Sequence, residues 1–259
     1  MRSASQVAAP PSSNRWLTRG VLGVGLASLF SDWGHEAATS ILPAFVASLL
    51  APAFALGVIE GVSDGLSTAG KLAGGWIADR PTWRKPTAVL GSFATGLSTF
   101  GYAFAGAWPF ILVMRALGWT SRGARSASKD VLLVDCIGQD RVGRAFGFER
   151  SMDTLGAVLG PLCATALVGI LGTRSLLKWT LVPGILAALV FAFLVPSSRS
   201  RADHHAPSFT EAFSRMPRPF RRCLAGVFAH GIGDFAPTLL ILRATQLLDR
   251  KSTRLNSSH

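Results

Sequence analysis

Long apolar runs separated by short, positively charged stretches dominate this sequence of 259 residues. Hydrophobic residues make up 49% of the chain and charged residues only 15%, whereas soluble domains carry about a quarter charged residues. Runs of about 20 apolar residues are long enough to cross a lipid bilayer as helices. Because lipid offers no hydrogen-bond partners, each crossing must satisfy its own backbone groups. The sequence therefore predicts an all-α, polytopic helical bundle in a membrane.

Seven apolar segments are predicted to be membrane helices. The first runs from about Leu17 to Leu50, and we expect one long, tilted helix because the run is too short for two crossings. The others cover about 53–78, 87–105, 109–122, 144–171, 175–195 and 220–248. Glycine favours helix C-termini, so Gly172 is expected to end the fifth segment. A short surface helix is predicted at Ser126–Gly138, where charged and apolar residues are mixed.

These segments divide the chain into five regions. Residues 1–16 are rich in Ser, Ala and Pro and are expected to be disordered. Residues 17–196 are predicted to form a six-helix transmembrane bundle, 197–219 a cytoplasmic linker, and 220–248 a seventh helix. The last stretch, 249–259, is similar to a translated sequencing adapter. Native sequence is therefore expected to stop near Leu248, and we leave the tail out of the fold prediction.

The distribution of cations predicts the orientation. Loops assigned to the inner side hold most of the Arg and Lys residues, whereas the outer loops hold only Arg174 and Lys178. This asymmetry places the N-terminus and the linker in the cytoplasm and the chain in the cell inner membrane. The net charge of +12 does not predict nucleic-acid binding, because the cations form no stripe with interleaved aromatic residues.

No pattern in the sequence predicts an enzyme, a cofactor or a metal centre. The three cysteines, Cys136, Cys163 and Cys223, have no metal-binding or CxxC spacing. Gly61–Gly65 fits the hydrolase pattern GxSxG, but that elbow requires a strand followed by a helix, and here it lies within a predicted membrane helix. We expect a protein that is not an enzyme.

Several ionisable residues lie within the predicted helices, where charge is costly and usually functional. The candidates for a substrate or proton pathway are Asp32, His35, Glu36, Arg115 and Asp234. The first helix carries a polar stripe, in which Ser28, Asp32, Glu36 and Ser40 recur every four residues. The stripe is expected to face a cavity or partner helices, and structural hydrogen bonding is the alternative to a functional role. In the second helix, an internal ion pair of Lys71 with Glu60 or Asp64 is the simplest expectation.

The stretch Gly74–Lys85, GGWIADRPTWRK, is interpreted as a membrane helix that ends at a positively charged surface. Asp79 and Arg80 lie where the helix leaves the lipid, and Pro81 cannot continue its hydrogen bonds. Arg84 and Lys85 follow on the side predicted to be cytoplasmic. An ordinary basic turn between two helices is the alternative.

Two rows of small residues recur every four residues and lie on helix faces that other helices can approach closely. The second segment carries the row Gly57, Gly61, Gly65, Ala69 and Ala73, and the fifth carries Gly156, Gly160 and Ala164. Static helix packing explains both rows whatever the function.

Together these motifs resemble the major facilitator superfamily of secondary transporters. The loop between helices two and three of that superfamily is matched by Gly75, Asp79, Arg80, Arg84 and Lys85, although Thr82 and Trp83 depart from it. A bacterial subgroup is similar at Gly143–Pro161, on the positions Arg144, Arg150, Asp153 and Gly156. The run Gly156, Gly160 and Pro161 also resembles the helix-five motif of drug–proton antiporters.

The resemblance implies a twelve-helix transporter of which this chain holds the six-helix N-terminal half and a seventh helix. It implies transport of a small solute by alternating access, with gating at the loop motif and with helices two and five contacting the other half. Proton coupling is expected because protonation removes the cost of a buried carboxylate, and drug or metabolite efflux is one possible direction. The full-length protein is expected to be a monomer, and the 259-residue chain is not expected to transport alone. A non-transporting membrane sensor or scaffold is the competing function.

Overall fold

The computed structural model of the chain describes residues 16–52, 54–137, 141–197, 216–232, 240 and 243–244. Throughout these residues the regular structure is helical and no strand occurs, so the all-α prediction is confirmed. The helices are α1 (Arg19–Ser48), α2 (Phe54–Ala78), α3 (Pro81–Gly101), α4 (Trp108–Asp135), α5 (Val142–Leu171), α6 (Thr173–Trp179), α7 (Leu181–Leu194) and α8 (Arg218–Ile232). A 3₁₀ turn, Tyr102–Phe104, follows α3.

Local chemistry sets the start of α1 and the end of α5. The first apolar segment forms one continuous helix, α1, and the Thr18 hydroxyl accepts a hydrogen bond from the Val21 N–H at 3.2 Å. α5 ends at Gly172, whose φ of +74° lies in the region that favours glycine. The predictions of one continuous first helix and of a fifth helix that ends at Gly172 are confirmed.

The third helix begins six residues earlier than expected. Pro81 does not separate a loop from a later helix, because it occupies the first turn of α3. Proline is tolerated there since the first N–H groups of a helix have no intrahelical acceptor. Only Asp79 and Arg80 connect α2 to α3, and Arg84 and Lys85 belong to the start of α3.

The fourth segment differs more from its prediction. α4 continues without a break to Asp135, so the separate surface helix predicted at Ser126–Gly138 is wrong for the described part of that range. Lys129 and Leu132 are buried rather than exposed to the cytoplasm. Lys129 therefore faces other helices instead of water, whereas Asp135 at the end of α4 is exposed.

The sixth segment is divided into α6 and α7 at Thr180. The Thr180 hydroxyl lies 2.7 Å from the Leu177 carbonyl and 3.1 Å from the Thr99 hydroxyl of α3. Among the described residues, two helical stretches are long and apolar enough to cross a membrane, Val142–Leu171 and Thr173–Leu194. Exposed apolar side chains such as Val158, Leu162 and Phe193 form the outer faces of these helices.

Residues 1–201 form one compact unit and residues 202–259 another, to which α8 belongs. Within the first unit α1 packs on α5, α2 on α4, and α3 on α7. α6 and α7 together form the sixth crossing of this unit. If the first, second and third crossings are equated with the fourth, fifth and sixth, the α1–α5 pair corresponds to the α4–α2 pair, as expected of an inverted repeat. An apolar cluster including Val24, Leu132, Leu133 and Phe191 fills the bundle at the end where α1 begins.

Candidate functional site

Four cations lie along one face of α4 and form what we call the α4 cation row. Its members are Arg115, Arg122, Arg125 and Lys129, and their spacings of seven, three and four residues keep them on one side of a helix. Arg122 is partly buried and the other three are buried. Because a buried charge requires a partner, the row determines what must surround it.

Arg122 meets an acid of α1. Its Nη1 lies 2.7 Å from Oδ1 of Asp32, whose side chain is only 5% exposed. Asp153, on α5, lies one turn before Gly156, which packs on the α1 backbone at Leu29 and Trp33. The α1–α5 seam therefore contains both Asp32 and Asp153, and Arg122, a cation that the sequence assigns to an inner loop, lies beside Asp32.

Arg125 links three helices through hydroxyl groups. Its Nη2 donates to the Ser31 hydroxyl of α1 at 2.6 Å, and its Nη1 donates to the Ser92 hydroxyl of α3 at 3.0 Å. The Ser92 hydroxyl itself donates to the Ala88 carbonyl at 2.8 Å. The lone pairs of Ser92 therefore remain available for the guanidinium.

Lys129 forms an ion pair with Glu149 of α5, through Nζ and Oε1. The Ser28 hydroxyl donates to the same Oε1 at 2.7 Å, and the Glu149 side chain has no exposed surface. Arg150 lies at the rim, with its Nε 3.7 Å from Glu149 Oε2 and its Nη1 3.5 Å from Asp153 Oδ2. The side chain of Arg150 is 65% exposed, so water screens both of its contacts.

Arg115, nearer the start of α4, forms a third ion pair of the row. Its Nη2 donates to Glu60 Oε2 of α2 at 2.8 Å, and both side chains are buried. The expected pair of Glu60 with Lys71 is not formed, since Lys71 is exposed on the outside of α2. Helix packing explains the difference, because α2 turns its Glu60 face to α4.

His35 and Glu36 complete the polar face of α1. His35 is buried edge-on to Trp119 of α4, with 5.1 Å between ring centroids, and neither ring nitrogen has a hydrogen-bond partner among the described residues. Glu36 is half-buried one turn beyond Asp32, and no ion pair joins it to another described residue within 4.0 Å. The polar stripe therefore faces partner helices, which is one of the two surroundings expected for it.

At the α2–α3 connection, Arg84 joins the end of α2 at Ala78 to the end of α4 at Asp135, and we call this contact the clip. Arg84 Nε donates to the Ala78 carbonyl at 2.6 Å, and Arg84 Nη1 lies 3.2 Å from Asp135 Oδ2 at the end of α4. The Arg80 guanidinium lies 4.0 Å from the centroid of the Trp76 ring. Asp79 is exposed, whereas Gly75 and Lys85 are half-buried.

The two rows of small residues differ in what they contact. In α5, a Cβ on Gly156 would lie 3.0 Å from the Trp33 nitrogen, so this row packs directly on the α1 backbone. In α2, Gly57, Gly61 and Gly65 have nothing within 4 Å of such a Cβ. The α5 row at Gly156 and Gly160 therefore shows the static helix packing expected as the alternative, and contact of α5 with another half stays a prediction.

Two of the remaining motif residues, Arg144 and Pro161, show no comparable role. Arg144 is exposed on the first turn of α5, and Pro161 lies half-buried inside that helix. Asp234 lies outside the described residues. No group of three potential metal ligands occurs in the part of the chain that the structure describes.

Comparison with known proteins decides the family. The family model of the Major Facilitator Superfamily matches residues 17–248. The chain belongs to the major facilitator superfamily. It is accordingly a membrane protein, as the apolar segments predict.

Two relatives of this superfamily member align with most of its length. An MFS-type transporter of Methanocaldococcus jannaschii is 23% identical over 91% of this chain and 59% of the relative. A protein of Mycobacterium tuberculosis is 28% identical over 62% of this chain and 39% of the relative. The chain thus spans roughly two-fifths to three-fifths of the length of these relatives.

Solved structures share the fold. A crystal structure of a peptide transporter named POT, in complex with sulfate, has a TM-score of 0.63 and 18% identity, over 86% of this chain and 49% of that chain. Another structure of the same transporter, an E310Q mutant bound to alafosfalin, has a TM-score of 0.61 and 17% identity, over 87% and 48%. At such identity the likeness establishes the fold alone.

Sequence reasoning missed several residues that bind the helices of this superfamily member together. The sequence assigns Arg122, Arg125 and Lys129 to inner loops and Glu149 to the cytoplasmic end of the fifth helix, and Ser31 is not among its candidates. The signal that could have found them is the helical spacing of the cation row, which continues from the membrane-embedded Arg115. Their partners lie about 20 to 120 residues away in sequence and carry no local signal.

Proposed function

We propose that this protein is a secondary transporter that moves a small solute across the cell inner membrane by alternating access, with its N-terminus in the cytoplasm. The observation that carries the proposal is the α4 cation row, in which three cations are paired with acids and Arg125 is bound by hydroxyl groups, inside a bundle of the transporter superfamily. Ionisable groups at membrane depth are expensive and are usually retained for function. The basic inner loops support the orientation, and the full-length protein is proposed to act as a monomer.

Proton coupling is the second part of the proposal. Asp32 is paired with Arg122, and Glu36 lies one turn away without an ion pair within 4.0 Å of a described residue. Protonation of a carboxyl in this group removes a negative charge, weakens its attraction to the α4 cations and so changes the relative stability of two arrangements of α1 and α4. A proton taken up on one side and released on the other would drive the solute.

Reconstituted vesicles test the transport proposal. Two proteins would be compared in vesicles loaded with a pH-sensitive dye. One is the product of the longest reading frame that contains this sequence, and the other is the 259-residue chain. Solutes would include sugars, cationic dyes and, because of the name of the structural neighbours, dipeptides. We expect solute-dependent proton flux from the longer frame. Absence of both solute movement and proton flux across the panel, with monodisperse protein, would favour the sensor or scaffold function.

A substitution then tests the coupling. Asp32→Asn should abolish transport driven by a pH gradient while leaving exchange of labelled for unlabelled solute, because exchange needs no net proton movement. Asn keeps the shape of Asp and one acceptor oxygen for Arg122, so a purely structural Asp32 would leave the pH dependence unchanged. That second result would rule out Asp32 as a proton carrier.

A further inference from the structure

The polar contacts between α1 and α4 are complete toward the end of α4 and incomplete toward its start. The two helices face each other in antiparallel order, through contacts of Ser28 with Lys129, Ser31 with Arg125, Asp32 with Arg122 and His35 with Trp119. The first three contacts are hydrogen bonds or ion pairs, whereas the fourth joins only the two rings. Because α1 packs mainly on α5, and α4 mainly on α2 and α3, side chains bridge the distance between α1 and α4.

Three side chains around this fourth contact have buried nitrogen atoms without a partner. The ring centroids of His35 and Trp119 lie 5.1 Å apart, and the guanidinium carbon of Arg115 lies 5.7 Å from the centroid of the Trp119 ring. We call these three residues the α1–α4 nitrogen cluster. Within the described residues, no hydrogen bond reaches either ring nitrogen of His35, Nε1 of Trp119, or Nε and Nη1 of Arg115. His35 is only 4% exposed and Arg115 only 1%.

The cluster offers mainly hydrogen-bond donors. The nitrogen atoms of Trp and Arg only donate, and a neutral His ring adds one donor and one acceptor. Nε and Nη1 of Arg115 together carry three of the five guanidinium N–H groups. Tyr102 lies beside Arg115, and its single oxygen cannot accept from all three. Because buried N–H groups without acceptors are unfavourable, the cluster requires a group that is rich in acceptor oxygens.

The neighbouring acids do not supply these oxygens. Glu60 accepts through Oε2 from Nη2 of Arg115, and its Oε1 has no hydrogen-bond partner in the part of the chain that the structure describes. Glu36 leans on α5, where its Cβ lies 2.9 Å from the position that a Cβ on Gly160 would take. Arg125 is bound by hydroxyl groups rather than by an acid. The α4 cation row is therefore one cation in excess of the acids that pair with it.

We infer that the α1–α4 nitrogen cluster binds an oxyanion, a carboxylate or phosphate group, between α1 and α4. The N–H groups of Arg115, Trp119 and His35 donate to its oxygens. Since these nitrogen atoms are shielded from solvent in this arrangement, the anion enters when α1 and α4 move apart. The identification of the oxyanion as a group of the transported solute rests on the proposed function, whereas anion binding itself is measured without transport.

Fluorine NMR on the product of the longest reading frame that contains this sequence tests the site. The protein would carry fluorotryptophan in detergent micelles, and the resonances of Trp119 and Trp179 are assigned by their loss in Trp119→Phe and Trp179→Phe. Sodium phosphate, sodium acetate, sodium chloride and acetamide are titrated at constant ionic strength. We expect phosphate or acetate to shift the Trp119 resonance to saturation, and the effective anion tells phosphate recognition from carboxylate recognition. The resonance of the exposed Trp179 should not move.

A substitution of Arg115 measures its share in binding. Arg115→Lys keeps a cation for Glu60 but removes Nε and Nη1. It should raise the Kd for the effective anion about ten- to a hundredfold, as expected for the loss of a hydrogen bond from a charged donor. Arg174→Lys is the matched control, because Arg174 binds the backbone carbonyls of Ala103 and Ala105, and it should leave the Kd unchanged.

Two results in the unaltered protein would overturn the inference however the variants fold. They are an equal shift with acetamide, which carries no charge, and the lack of a saturable shift with both phosphate and acetate. A Kd that is unchanged in Arg115→Lys would overturn it as well. Anion binding by a protein that moves no solute in vesicles would refute the transport function and leave the site. Transport without anion binding would refute the site alone.

Discussion

At the scale of single residues, the pair of Lys129 and Glu149 illustrates why a charge can lie inside this bundle. Glu149 has no exposed side-chain surface, and its Oε1 receives both the Lys129 ammonium and the Ser28 hydroxyl. Removing one partner of a buried pair costs more than the pair itself contributes, because the remaining charge is left uncompensated. The energetic importance of Lys129 therefore depends on Glu149.

Lys129→Met should lower the free energy of unfolding by about 3–5 kcal/mol, since Glu149 would be buried without a cation. Lys71→Met is the matched control, because Lys71 is exposed on α2, and its effect should stay within about 0.5 kcal/mol. Thermal unfolding in detergent micelles, followed by circular dichroism, compares the two. Equal melting temperatures would show that Glu149 does not depend on Lys129.

The Arg115–Glu60 pair makes a related prediction for two helices. Glu60→Gln should destabilise the protein by several kcal/mol, because Arg115 is 1% exposed and would keep a buried charge without a counter-ion. The double variant Glu60→Leu with Arg115→Met should recover most of that loss, since it removes both charges. A double-mutant cycle of Glu60→Leu, Arg115→Met and their double variant, followed by melting temperature, measures the coupling. Additive effects would contradict a direct pair.

At the scale of helices, the α5–α1 seam and the open row of α2 contain similar residues in opposite surroundings. A Cβ on Gly156 would lie 3.0 Å from the Trp33 nitrogen and 3.1 Å from the Leu29 carbonyl carbon, so neighbouring backbone would have to move. Gly65 has no atom within 4 Å of the same position. Gly156→Ala should therefore cost about 1–3 kcal/mol. Gly65→Ala should be neutral or stabilising by up to about 1 kcal/mol.

Protection of α1 and α5 amides from hydrogen exchange, measured beside the melting temperature, locates the effect. Gly156→Ala should increase exchange in these two helices, and Gly65→Ala should leave them unchanged. Similar losses of stability in both variants would mean that α2 packs on an additional surface in solution.

The same helices show what the sequence could and could not predict. α1, α2 and α5 lie close to their predicted bounds, because apolar length and a stopping Gly172 are local signals. α4 was divided wrongly because charged residues on a helix look the same whether they face water or buried acids. The partners that decide between these cases, such as Asp32 and Glu149, are supplied by distant helices.

At the scale of the whole molecule, the exposed row of α2 and the clip at its end lie on the same helix. Gly57, Gly61 and Gly65 leave a face of α2 uncovered in the compact unit of residues 1–201. Arg84 contacts both the carbonyl of Ala78, at the end of this helix, and the carboxylate of Asp135 of α4. A movement of α2 against a further part of a transporter would therefore be passed to α4 and its cation row through that clip.

Asp79 lies in the connection beside this clip, exposed at the end of α2. A carboxylate at that position is suited to a cation or to a helix N-terminus that approaches in only one of two transport states. Asp79→Ala should then slow conformational cycling in the product of the longest reading frame that contains this sequence, with little change in solute affinity.

Thr82→Ala, a substitution of an exposed residue in the first turn of α3, is the matched control. Equilibrium binding measured beside the transport rate separates the two effects, because a gating residue changes the rate per bound solute. Lost binding with an unchanged rate per bound solute would instead place Asp79 in the recognition of the solute.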